Sequence, residues 1–401
     1  MTKNKELNPD ESEIYSCEHC VGCGKKTLNN ESQITLESIF LKGISFQRRG
    51  IIKKLLKLRS VYKHAVLSSF RRKKCQKKKG LLAPVAIALS PTMQCNLSCI
   101  GCYSHDYPSD NELSLNDIED ILTSAEKMGV FLFVITGGEP LMKDGILDIF
   151  KRHKNLLFLM ITNGTLLDEK VAKEIADAGN IVPVVSLEGT RKQTDNRRGY
   201  GIYDQVKLAM EYLQNEGIAF GFSATVTSLN YDTLVSDKFI KEMMDRGCVL
   251  GFYTEYIPIG SVAEWSLVLE DEEREYFRER VLEIRKSKPI MVAHMPDDEY
   301  GVDGRCQGLV YGSVHINSQG YVEPCPFTHF ASDNVRDNGL ESALRSQFLA
   351  QLRSSDAIYR HGKLGCSLFE NREILEEIAE RTGAIPTDCP IEYRSKRDYK
   401  V

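Results

Sequence analysis

The chain has 401 residues, 42% of them hydrophobic and 27% charged, with a net charge of −4. That hydrophobic fraction excludes a wholly disordered chain, and at roughly 150 residues per domain the length predicts two to three domains. No run in the sequence approaches the ~20 apolar residues that cross a bilayer. The opening MTKNKELNPDESE lacks the apolar stretch of a secretory signal. A cytoplasmic, reducing setting is therefore expected, in which cysteines more often hold metal or react than pair as disulfides.

Twelve cysteines are present, and they are grouped. Residues 1–33 are polar and turn-rich around Cys17, Cys20 and Cys23. This Cys-x2-Cys-x2-Cys-Gly spacing predicts a zinc or single-iron knuckle, with His19 or Cys75 as fourth ligand. A third iron–sulfur cluster and a tail of free thiols are the alternatives. Residues 42–79 then carry fifteen Lys or Arg and no Asp or Glu, which leaves the remainder of the chain near −19. Ile51, Ile52, Leu55, Leu56, Leu58, Tyr62, Ala65 and Val66 recur at helical spacing there, opposite Lys53, Lys54, Lys57 and Lys63. A basic amphipathic helix is expected. It either packs as a lid or docks peripherally on an anionic surface: a membrane, an acidic peptide or, least favoured, nucleic acid.

From residue 81 short apolar runs alternate with helical patterns. Strands are expected near 85–90, 131–136, 157–162, 181–187, 219–227 and 250–257, and helices near 115–128, 144–153, 168–178, 203–216 and 232–246. Ser114 with Asp117 reads as a capping box. Gly129, Gly179, Gly217 and Gly247 sit where helices should end. Such alternation predicts βαβ units on a parallel sheet, here an α/β fold with a partial (β/α)6 TIM-like barrel. Helices near 270–286 and 371–382 follow, with short strands and turns after Pro289. The expected division is 1–80 for the cysteine and basic segment, 81–295 for the barrel, and 296–401 for a small α+β extension.

The first barrel strand runs into SPTMQCNLSCIGCYS, in which Cys95, Cys99 and Cys102 have Cys-x3-Cys-x2-Cys spacing. Three thiolates on one loop suit three irons of a [4Fe–4S] cluster and leave the fourth iron open. The competing reading is a three-cysteine zinc site. Polar or glycine-rich segments follow the other strands: Thr136-Gly137-Gly138-Glu139-Pro140, Thr162-Asn163-Gly164, and Ser186-Leu187-Glu188-Gly189. The C-terminal ends of parallel barrel strands form the active face.

Over roughly residues 81–260 the sequence resembles the radical S-adenosylmethionine (radical SAM) superfamily, on CNLSCIGC, GGEP at 137–140 and SLEG at 186–189. The resemblance implies that Cys95, Cys99 and Cys102 hold a [4Fe–4S] cluster whose open iron takes SAM. It implies that Gly137, Gly138 and Glu139 meet the methionyl amino group. Asn163, Ser186 and Glu188 would contact the ribose or methionyl part, and Arg198, or the adjacent Arg197, the SAM carboxylate. Many members have an aromatic just before the third cysteine, where this chain has Gly101 followed later by Tyr103. Further on, Cys306-x13-Gly320-x4-Cys325 resembles the start of SPASM and twitch extensions. That implies an auxiliary [4Fe–4S] cluster on Cys306, Cys325, Cys366 and Cys389. The activity implied is reductive SAM cleavage and hydrogen abstraction from a bulky substrate, a peptide or protein, fed by an external electron donor. A membrane lipid is the alternative substrate, and a non-catalytic iron–sulfur scaffold or electron carrier is the alternative class. Tyr253, Glu255 and Tyr256 are expected at the substrate-facing rim. The remaining histidines show no ligand spacing.

Overall fold

The computed structural model describes residues 51–359 and 365–388, with side chains from residue 64 onward. Cys17, His19, Cys20, Cys23, His361 and Cys389 lie outside the described residues.

The six apolar runs form the strands β1 (Ala86–Leu89), β2 (Leu132–Ile135), β3 (Leu157–Thr162), β4 (Ile181–Ser186), β5 (Phe220–Val226) and β6 (Cys248–Glu255). All pair in parallel with their sequence neighbours, with Ala86 opposite Leu132 and Leu132 opposite Leu157. Helices connect them, as right-handed βαβ crossovers require. The helix Leu115–Met128 starts on the Ser114–Asp117 capping box and ends at Gly129, whose φ is 89°. The pattern near 232–246 is two helices, Tyr231–Leu234 and Asp237–Asp245, because Ser236 caps the second and breaks the first. An additional helix, Arg191–Arg198, is nearly all polar and so has no apolar period to reveal it.

Two features extend the sheet beyond sixfold alternation. Met291–Met295 is a seventh parallel strand, β7, beside β6. At the opposite edge β8 (Val314–Ile316) pairs in parallel with β1, and β9 (Val322–Glu323) returns antiparallel. The predicted INSQGYVEPC hairpin therefore exists, but it continues the barrel sheet. The resulting order is β7-β6-β5-β4-β3-β2-β1-β8-β9, so the barrel stays open. A small second sheet joins β10 (Phe330–Ala331) to β11 (Ile385–Pro386).

Alternation along the strands sends side chains to two faces. On β2 and β3, Phe133, Ile135, Phe158 and Met160 are fully buried towards the helices, with Phe158 stacked 4.1 Å from Phe150. Their partners Leu132, Val134, Leu159 and Ile161 point into the lumen and are only half-buried. On β2 and β3 the lumen side is thus packed less tightly than the helix side. Among the described residues no helix is long and apolar enough to cross a membrane.

Candidate active site

The cysteine loop leaves β1 at Ser90 and is held by the chain itself. Gly138 N donates to Thr92 O (3.0 Å) and Glu139 N to Gln94 O (2.8 Å). A Cβ on Gly138 would fall 2.1 Å from Gln94 O, and one on Gly137, at φ 105°, 2.4 Å from Thr92 O. The glycine pair is therefore required by the backbone of the cysteine loop, which crosses directly over it.

Glu139 is fully buried and uses both oxygens internally. It accepts from Thr162 Oγ1 (2.8 Å), Asn163 N (2.7 Å) and Leu141 N (3.1 Å), which locks the β2 loop to the β3 loop. Burial raises its pKa, and these three donors only partly offset that. Asn163 continues the tie: its Nδ2 donates to Asn96 Oδ1 (2.8 Å) and lies 3.8 Å from Cys95 Sγ. Ser186 is buried at the end of β4.

Opposite these stands a buried ionic cluster. Glu188 Oε1 accepts from Arg197 Nη1 (2.6 Å) and from Arg198 Nε (2.8 Å) and Nη2 (2.6 Å); Thr225 N donates to Oε2 (3.1 Å). Burial pushes the Glu188 pKa up, but Arg197 and Arg198 outweigh it and hold the carboxyl below its usual range. Two guanidinium groups share one carboxylate, so the cluster keeps a positive excess beside the cysteines. Arg197 Nε is buried with no hydrogen-bond acceptor. Its carbonyl accepts from Ile100 N (3.0 Å), inside the cysteine loop. Arg198, the expected anion partner, spends two of its five N–H donors on Glu188, whereas the buried Nε of Arg197 has no acceptor.

The three sulfurs share this pocket. Burial raises the pKa of Cys95, with Cys99 and Cys102 adding like-charge effects; burial likewise raises Cys99, against the pull of Arg198 and Arg197. Among the described residues no three Cys, His, Asp or Glu side chains converge tightly enough to grip a single ion. A cubane does not ask for that, since each of its irons takes its own thiolate. Three nearby thiols, a cationic wall and an orphaned buried donor together suit an anionic thiolate-bound cluster and a carboxylate-bearing ligand.

Gly101 explains the missing aromatic. Its φ is 69°, and a Cβ there would lie 2.7 Å from the Tyr256 ring. Tyr256, from the end of β6, fills the space beside Cys102. Gly101→Ala should therefore strain the loop by about 1–3 kcal/mol and lower the iron retained per chain, measured by iron analysis after anaerobic reconstitution.

Sequence reasoning missed a second buried network beneath the loop. Ser90 Oγ meets His315 Nε2 (2.7 Å), and His315 Nδ1 meets Glu323 Oε2 (2.6 Å). Glu323 also accepts from Tyr107 OH (2.9 Å), Asn317 Nδ2 (2.8 Å) and Thr387 Oγ1. His315 and Glu323 are wholly inaccessible, so this network fastens the β8–β9 hairpin to the site rather than meeting ligand. Only a fold-specific pairing of β8 with β1 creates it, so no spacing in the sequence announces it.

The expectation for the β6 rim is corrected in part. Tyr253 faces away from the lumen, packed on Phe222 and Phe277, with its hydroxyl donating to Leu234 O (2.5 Å). Glu255 is buried, its Oε2 accepting from Arg274 Nε (2.8 Å) and its Oε1 2.9 Å from His294 Nε2.

In the extension, Cys306, Cys325 and Cys366 come together, each with its pKa raised chiefly by burial, Cys366 to about 11. Glu299, which no motif marks, accepts from Cys306 Sγ at 3.6 Å. Cys75 packs in the apolar core on the inner face of its helix.

A family model described as the Radical SAM superfamily matches residues 89–237, the stretch holding the three cysteines, the glycine pair and the Glu188–arginine cluster. Residues 89–237 are therefore a radical SAM domain. Radical SAM domains use a [4Fe–4S] cluster and SAM. It is 29% identical over 225 residues to the Fe-coproporphyrin III synthase of Methanosarcina barkeri, covering 54% of this chain and 55% of that one. It is 25% identical over 316 residues to the AdoMet-dependent heme synthase of Oleidesulfovibrio alaskensis, covering 71% and 80%. It is 32% identical over 166 residues to the mycofactocin maturase MftC of Mycolicibacterium smegmatis, covering 40% and 42%. The chain thus spans about half the length of the first and third of these. The solved structure of Streptococcus suis SuiB bound to precursor peptide SuiA shares the fold, with a TM-score of 0.60 at 18% identity over 81% of this chain and 76% of that one.

Proposed function

We propose that this radical SAM enzyme abstracts hydrogen from a bulky substrate, a peptide or protein, at the C-terminal mouth of the open barrel. The observation that carries this is the convergence of Cys95, Cys99 and Cys102 with the Arg197–Glu188–Arg198 cluster at the C-terminal ends of the barrel strands. When bound and reduced, the cluster supplies the electron that cleaves SAM to methionine and a 5′-deoxyadenosyl radical. In this reading Arg197 offers its spare donor to the SAM carboxylate. Glu188 holds both guanidinium groups in place, and Glu139 and Asn163 fix the loops around the methionyl end. An electron carrier would have no use for such a cationic, loop-braced pocket.

The peptide assignment is supported by two similar proteins, the maturase MftC and SuiB, which binds a precursor peptide. An iron-porphyrin substrate is the second reading. It is favoured by the heme synthase relative, whose match extends over far more of the chain than that of MftC. Anaerobic reconstitution with SAM and dithionite, with either a leader-bearing peptide or an iron porphyrin, tests both. Substrate-dependent 5′-deoxyadenosine with a peptide is the expected result; formation only with the porphyrin reverses the choice.

The reading extends to residues 296–401 as a module in which Cys306, Cys325, Cys366 and Cys389 hold an auxiliary cluster. Cys325→Ala should then remove about one cluster's worth of iron, some four atoms, and leave SAM binding intact. Unchanged iron content removes the auxiliary site.

A further inference from the structure

The long basic helix Ile51–Lys79 takes no part in the site above, and its placement gives it another use. It lies at the N-terminal edge of the sheet, opposite the cysteine loop. His64 borders the same recess as Phe131, Leu156 and Asn180, which directly precede β2, β3 and β4. Ser68 O and Arg71 Cβ lie within 2.7 Å of where a Cβ on Gly129 would stand, so the helix is laid tightly over the start of β2. At its far end Lys79 pairs with Glu341, and Arg345 Nη2 donates to Lys79 O (2.9 Å). The helix is therefore fixed in one orientation.

That orientation sorts its residues. Ser68 and Cys75 are buried on the inner face. At about 100° per residue, Val66, Leu67, Phe70, Arg71, Lys73, Lys74, Lys77 and Lys78 fall on one outer arc of roughly 160°. All eight are exposed, and Phe70 is 67% exposed. Among the described residues Arg71, Lys73, Lys74, Lys77 and Lys78 have no acidic partner. Residues 64–79 contain seven Lys or Arg and no Asp or Glu. A solvated helix face has no need of three large apolar side chains at the head of a lysine row.

We infer that this face docks the enzyme on an anionic phospholipid bilayer. Val66, Leu67 and Phe70 enter the headgroup boundary, and the five cations meet lipid phosphates. A nucleic acid would match the charges but gives no role to the aliphatic pair, and no stacking platform accompanies Phe70. Docking on this edge leaves the active mouth facing away from the membrane and open to a soluble substrate. The inference stands apart from the radical chemistry, because its readout does not involve SAM.

The test is flotation of the purified full chain with phosphatidylcholine vesicles, alone or mixed with phosphatidylglycerol. Binding is expected only to the mixed vesicles and should weaken at high salt. K74A/K77A should lower the partition coefficient about fivefold per lysine removed, whereas K74R/K77R should retain it. F70S should lower it about tenfold. None of these exposed substitutions should change 5′-deoxyadenosine formation. The inference is overturned by absence of binding to the mixed vesicles, by equal binding to both vesicle types, or by wild-type binding in both K74A/K77A and F70S. It is equally overturned if the helix captures an RNA oligonucleotide while ignoring the vesicles.

Discussion

Cys99→Ala should reduce SAM-derived 5′-deoxyadenosine to assay background, the largest effect expected of any single substitution here. Cys99 lies between the other two cysteines in sequence and faces Arg197 and Arg198. Its loss leaves only two thiolates on the loop. The same variant should fold normally, since Cys99 is half-exposed and belongs to no packed core. Circular dichroism of the variant separates a chemical defect from an unfolded one. Cleavage at the wild-type rate in a folded Cys99→Ala chain would refute the cluster assignment.

Glu188→Gln should cost about 3–5 kcal/mol of stability, because it strands two buried guanidinium groups without their counter-charge. The carboxylate is 1% exposed, so solvent screening offers little relief. Its pH signature follows from its lowered pKa. A carboxyl whose folded pKa lies below its unfolded value stabilises the fold fully above the unfolded value of 4.5, and loses that contribution as pH falls through the folded value. Urea unfolding of the metal-free chain should therefore show the wild-type advantage over Glu188→Gln at neutral pH and its progressive loss in acid below about 4. A constant difference across that range contradicts the ionic assignment.

Much of this molecule was legible in the sequence because its period is strong. The runs FLFVIT and LFLMIT alternate between a helix-facing row and a lumen-facing row, and their strands lie where that alternation places them. The Ser114–Asp117 box starts its helix by the mechanism expected of it. The cysteine spacing and the glycine pair were readable as chemistry, although the glycines turn out to accommodate the chain's own loop. What stayed hidden depends on partners remote in sequence. MVAHM, with Val292 as its one β-branched residue, is too weakly patterned to announce β7. The Ser90–His315–Glu323 chain exists only because β8 lands beside β1. Tyr253 was misplaced because strand register decides its face, and one residue of slip reverses inside and outside. Between residues 64 and 79 the inner face of the basic helix carries Ser68 and Cys75, small residues that no hydrophobic stripe flags.

The central claim is that Cys95, Cys99 and Cys102 leave one iron open to SAM beside Arg197. Electron paramagnetic resonance of the reduced, reconstituted chain, recorded before and after addition of saturating SAM, addresses it most directly. The account predicts a cluster signal that changes shape on SAM addition and is lost in Cys99→Ala. A reduced spectrum unaltered by SAM would contradict it.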